Sequence, residues 1–287
     1  MVKSTSRKVF NGCNIAFLTV LGVMFLLPTL LILSASFMSE TEYLAHGYSI
    51  IPYGFNFGNY VKLFEDNAII RALLNSVVVT LGGTLSSVAV TTLTAYALSK
   101  PNLVGRGVFM KILMFCMLFS GGLVPTYMLV ISLGLKNTYW ALWLPGLIAP
   151  WNVILIRSNF MGVPPSLEEA MKIDGGNNLT CFLHVAVPMC VPTLASIILF
   201  SAVANWNGWA GFLLYFNSRH RDMYSLTALL QEMLQENINP SGGSVGSGYS
   251  ETFKMATVVI STVPIILIYP FMQKYFIAGM MLGGVKE

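Results

Sequence analysis

Between Asn205 and Trp209 the sequence places two amides and two indoles, Asn205, Trp206, Asn207 and Trp209, within little more than one helical turn. None of these groups breaks bonds. Indole faces stack on sugar rings and amides bond hydroxyls, so at helical spacing the set could line a path for a polyhydroxylated solute, with Trp151, Asn152 and Tyr127 as further candidates. The same residues suit an aromatic belt with interhelical amide bonds at a membrane interface, and the pattern alone leaves both readings open. The other chemically dense stretch is PPSLEEAMKIDGGNNLTCFLHVAVP, residues 164–188, which holds Glu168, Glu169, Lys172 and Asp174 in a chain only 10% charged. Catalytic groupings are not evident. His46, His184 and His220 are scattered, no Ser/His/Asp set stands out, and Cys13, Cys116, Cys181 and Cys190 show no C-x-x-C pairing, so free thiols and neither disulfide nor metal site are expected.

The elements that must position these residues follow from composition. Of 287 residues, 55% are hydrophobic, and the mean hydropathy is +0.69, more apolar surface than a water-soluble fold can bury. A membrane domain is expected, all-α, with uncharged spans at 15–33, 76–98, 112–133, 140–156, 189–216 and 255–273. Six spans put both termini on one side. Placing them in the cytosol leaves ten of the 16 Lys and Arg residues inside and six outside, in the sense of the positive-inside rule. The net charge of +4 then reflects topology, and nothing points to nucleic acid. Lys3, Arg7 and Lys8 before an apolar run could also begin a cleaved signal peptide, but the run is longer than the usual apolar core of one and reads as an anchor.

Span 76–98 is rich in Gly, Ser and Thr, which favour close helix packing, so it should sit inside the bundle. No Asp, Glu, Lys, Arg or His lies within any span as drawn, which argues against a proton relay. The outer loop 217–254 contains LTALLQEMLQENI, whose leucines recur at the spacing of an amphipathic surface helix, followed by the Gly/Ser-rich NPSGGSVGSGYS. That pair reads equally as membrane dressing or as a docking surface for an extracellular partner.

The polar stretch falls in the cytosolic loop 157–188. Pro164 and Pro165 stop what precedes, Ser166 suits an N-cap, and Glu169 would complete a capping box, so a helix is expected from Leu167 to about Asp174. Gly175-Gly176 should end it, and a second helix should run from Asn178 to Val187 before Pro188. Leu167, Ala170 and Met171 share a face, with Ile173 at its margin, while Glu168 and Lys172 project elsewhere. This is an apolar knob ringed by charge, suited to a groove in another protein or to packing on its own domain.

EEAMKIDGG…VAVP resembles the EAA signature of the permease subunits of binding-protein-dependent ABC importers, with Glu169-Ala170-Met171, then Gly175, then Val185-Ala186-Val187-Pro188 at the family spacing. Met171 stands for the second Ala, and Val for both Ile and Leu. LNSVVVT, GGLVPTYMLVISLGLKNTYWAL, ANWNGW and YFIAGMMLGGVKE extend the likeness over nearly the whole chain, toward the carbohydrate-uptake branch and the smaller permease of the maltose-type pair. The resemblance implies a type I importer permease of the bacterial cytoplasmic membrane that is not itself an enzyme. It implies a homologous second permease as heterodimer partner, two ATP-binding cassette subunits, an extracellular solute-binding protein and an oligosaccharide substrate; similar permeases also handle acidic, uronate-containing oligosaccharides. By the same likeness Leu167, Glu168, Glu169, Ala170, Met171, Asp174 and Gly175 form the ATPase-coupling segment, and the tail from Gly283 to Glu287 also touches the ATPase. The chain has no Gly-Lys dipeptide and hence no G-x-x-x-x-G-K-[ST] loop, so it is expected to bind no cofactor, ATP and Mg residing on the partner ATPase. A secondary carrier or channel without ATPase partners is the alternative.

Overall fold

An apolar run in lipid has no water to satisfy its backbone groups, and a helix satisfies them within the segment. The computed structural model describes residues 5–236 and 249–284, and among the described residues there is no strand. In chain order the helices are α1 (Thr5–Ser36), α2 (Glu40–His46), α3 (Gly58–Glu65), α4 (Asn67–Ser99), α5 (Arg106–Leu118), α6 (Leu123–Ser132) and α7 (Trp140–Trp143). There follow α8 (Pro150–Met161), α9 (Pro165–Ile173), α10 (Asn178–Met189), α11 (Val191–Asn207), α12 (Ala210–Tyr215), α13 (Leu226–Glu236) and α14 (Glu251–Gly284).

Three helices, α1, α4 and α14, are long and apolar enough to cross a membrane, and counting each sharply bent pair as one span raises the number to 5. Among the described residues, length and composition thus give three to five of the six spans expected. The stretch expected at 112–133 is broken into α5 and α6, bent by 118° at a link where Gly122 adopts a φ of +88°. That expected at 189–216 begins at a second break of 84° between α10 and α11. Proline explains the second: the ring of Pro192 would clash with the carbonyl of Pro188 in a continuous helix, so the chain turns at Cys190. The stretch 140–156 is likewise interrupted after Trp143, and Pro150 begins α8 at a position where its missing N–H costs nothing.

The described chain divides into two compact units. One comprises the residues through Ile70 together with Leu230–Val263. Here α2 opens on a capping box, the Glu42 amide donating to Ser39 Oγ at 3.3 Å and the Ser39 amide to Glu42 Oε2 at 2.9 Å. Thr252 donates to Glu40 at 3.1 Å and Tyr249 to Asp66 at 2.6 Å, tying the start of α14 to the segment after α1. The sixth span was expected at 255–273, yet α14 starts at Glu251 and buries Lys254, whose ammonium pairs with Glu251 at 3.0 Å. An ionisable side chain therefore does lie in an apolar helix, neutralised one turn away.

The other unit holds Arg71–Leu229 and the chain from Pro264. One cluster gathers Tyr96 of α4, Ile156 and Phe160 of α8, Phe182 of α10 and Ile197 of α11; a second gathers Val79, Val130, Phe212, Tyr215 and Tyr224. Helix α4 contributes to both. Only one of its faces is inside: Ser76, Thr84, Thr91 and Ala95 are buried, whereas Val78, Leu81 and Leu85 are exposed. The amphipathic helix expected after 217 forms as α13, with Leu226 and Met233 buried where an outer surface was expected. Most of NPSGGSVGSGYS lies outside the described residues, as does the end of the tail from Gly283.

Candidate functional site

Two features of the second unit carry the residues singled out above. The first is α9. Pro164 stands at its N-cap position and Pro165 at its first turn, and no side chain caps it, so the Ser166–Glu169 capping box is not formed. Paired prolines fix the start instead, since their φ is already helical and neither amide needs an acceptor. At the other end Gly175 adopts a φ of +84°. Its amide donates to the Lys172 carbonyl at 3.1 Å and that of Gly176 to the Met171 carbonyl at 2.8 Å, the bond pair of a Schellman stop. A Cβ on Gly176 would sit 2.8 Å from the Met171 oxygen, so both glycines are required.

At about 100° per residue, Glu168 and Met171 fall on one side of α9 and Glu169, Ala170 and Ile173 on the other. Met171 packs against the Tyr96–Phe160 cluster. Both carboxylate oxygens of Glu168 contact the Lys100 ammonium, which also lies 4.0 Å from the centroid of the Tyr96 ring. Partial burial opposes the charge on Lys100, but its contacts with Glu168 and Tyr96 outweigh that and hold the ammonium above the ordinary lysine range. The outward side remains open: Glu169, Ala170 and Asp174 are exposed, Leu167 is 42% exposed and Ile173 86%.

The second feature is a cleft between α4, α7, α8 and α11 whose mainly apolar wall, with Gly83, Leu142 and Phe200, also carries Ser87, Trp143, Asn152, Ser201 and Asn205. The Asn205 amide donates to the Ser201 carbonyl at 2.8 Å, and the Trp143 indole donates to the Val79 carbonyl at 3.1 Å. Close approach of α4 depends on two glycines. A Cβ on Gly82 would clash with the Trp143 ring, and one on Gly83 would meet Asn205 Oδ1 at 2.5 Å.

The other candidates do not converge there. Trp206, one residue and so 100° on from Asn205, is buried against an apolar groove with Leu73, Val77, Leu199 and Pro264. Asn207 at the end of α11 and Trp209 just before α12 are exposed, Trp151 is 63% exposed, and Tyr127 stacks on Tyr215 with centroids 6.0 Å apart. Of the amide and indole group, Asn205 and Asn152 face the cleft; Trp143 and Gly83 join them without having been singled out. The glycine pair was the available signal, because adjacent glycines inside a long helix mark a place where something packs close.

Residues 5–281 match the family described as the binding-protein-dependent transport system inner membrane component. The chain belongs to that family. This permease is 38% identical over 285 residues to the polygalacturonan/rhamnogalacturonan transport system permease protein YtcP of Bacillus subtilis (strain 168), across 98% of its own length and 99% of that protein. It is 37% identical to Protein LplC of the same organism, across 100% and 98%. Among solved structures it superposes, with a TM-score of 0.86 at 28% identity over 96% of its length, on 99% of a chain from a bacterial ABC transporter involved in the import of the acidic polysaccharide alginate. The chain is thus a binding-protein-dependent transport permease with the helical type I importer fold, a transport subunit of the inner membrane by family.

Proposed function

We propose that this permease is the membrane-spanning subunit of an ATP-driven importer of acidic, uronate-containing oligosaccharides, working by alternating access. The observation that carries the coupling half of this reading is α9, a short helix stopped at both ends by rigid backbone and presenting Leu167, Ala170 and Ile173 outward with nothing of the described chain over them. Two cytosolic ATPase subunits, holding ATP and Mg, would seat that face in a cleft, Glu169 adding polar contact. A homologous second permease would complete the bundle, and an extracellular binding protein would deliver solute. ATP-driven closure of the ATPases would bias the two-state bundle outward, and hydrolysis would reset it.

The substrate half is supported by what the relatives are named for, a polygalacturonan/rhamnogalacturonan system and an alginate importer. Both are uronate polymers. The cleft at Asn205 offers amides, hydroxyls and an indole and no cation, so this chain would meet hydroxyls and ring faces, leaving the carboxylates to the second permease or the binding protein.

The test is purification of the tagged chain in mild detergent, with mass spectrometry of co-purifying proteins, then reconstitution with the binding protein. An ATPase and a second permease should be recovered, and uptake of oligogalacturonides should require ATP and exceed that of neutral oligosaccharides. Ile173→Asp and Glu169→Lys should insert normally and lose ATP-driven uptake. Uptake without ATP by the chain alone would instead establish a secondary carrier.

A further inference from the structure

Lys100 and Glu168 are 68 positions apart in sequence, and the fold brings them into direct contact. Their side chains are 31% and 17% exposed, so the pair is only partly open to water. The ammonium has a second seat on Tyr96, which is itself wedged between Phe160 and Phe182 with ring centroids 5.6 and 5.0 Å away. Nearby, Arg157 Nε donates to the Leu98 carbonyl at 2.9 Å, fixing the last turn of α4 to α8. Glu168 and Met171 leave α9 on the same side, so one anchors the helix by charge and the other by apolar packing. Helix α4 then runs unbroken for 33 residues. Its Gly82-Gly83 step, whose Gly83 forms part of the wall of the cleft, lies about 25 Å from the Lys100 end.

We infer that Lys100 is a positioning residue of the transport cycle, tying α9 to the foot of α4 through Glu168 so that displacement of α9 reaches Gly83 in the wall of the cleft. The inference rests on the ATPase-coupled reading above. An ammonium suits this role better than an apolar contact. It holds two acceptors on different helices, the carboxylate of α9 and the ring of α4, and keeps attraction to both over a range of separations, whereas close-packed side chains lose contact steeply. The raised affinity of Lys100 for its proton keeps the link charged at any physiological pH.

The experiment uses the assembled importer in proteoliposomes, measuring solute uptake and ATP hydrolysis together for wild type, Lys100→Met, Glu168→Gln and the double reversal Lys100→Glu with Glu168→Lys. Both single variants should still be recovered as assembled complex. Solute moved per ATP should fall about tenfold in each, and the double reversal should bring the ratio back to within about threefold of wild type. An unchanged ratio in Lys100→Met, a fall that only follows loss of assembled complex, or a double reversal no better than the singles would overturn the inference. Absence of ATP-driven uptake in the wild type would overturn the coupling reading itself, and this inference with it.

Discussion

At Gly175 a single dihedral decides how a whole surface is presented. A φ of +84° is open to glycine and strained for other residues, and the two amide bonds that close α9 depend on it. Gly175→Ala should therefore cost about 1–2 kcal/mol, read as a lowered melting temperature of the purified chain. Gly175→Pro removes the amide and forces φ negative, so it should keep membrane insertion and abolish ATP-driven uptake, a split that fractionation and vesicle transport together would reveal. This residue was legible in the sequence because punctuation by proline and glycine is local. Lys100 was not: with 16 basic and 12 acidic side chains in the sequence, nothing short of the fold says which pair meets. Ser166 and Glu169 illustrate a different failure, a correct capping pattern outcompeted by the preceding prolines, whose backbone already fixes the helix start.

The elements were read well by type and less well by continuity. Apolar length alone predicted helices, and helices formed, but α5 to α6 and α10 to α11 turn through 118° and 84° inside stretches counted as single spans. Hydropathy cannot see such turns, since glycine and proline barely interrupt an apolar average. Facing was also hidden. Asn205 and Trp206 are neighbours in sequence, and a helix sends them to different clefts, while Trp143, 62 positions before Asn205, shares its cleft. The α4 step makes this testable: Gly83→Val must displace Asn205 and Trp143, and overpacking of this kind costs about 1–3 kcal/mol. Uptake by the reconstituted importer should drop about tenfold. Gly107→Val, at a glycine with open space around it, should leave uptake near wild type.

For the whole molecule, family and fold were within reach of the sequence because its motifs are spread along the chain in order, whereas the arrangement across the membrane follows from charge bias alone. Thiol labelling of intact cells tests it. In a background lacking Cys13, Cys116, Cys181 and Cys190, a cysteine replacing Ile173 should react only after the membrane is permeabilised, and one replacing Tyr53, which is 63% exposed, should react from outside. The opposite pattern would invert the topology and put α9 out of reach of any ATPase. Ile173 also has a bearing on how the importer is made. Read as the surface a partner covers, an isoleucine 86% exposed at the end of α9 makes every unassembled copy sticky and recognisable to proteases. Surplus chains are then cleared rather than stored, and the number of importers in a cell is set by whichever subunit is synthesised most slowly.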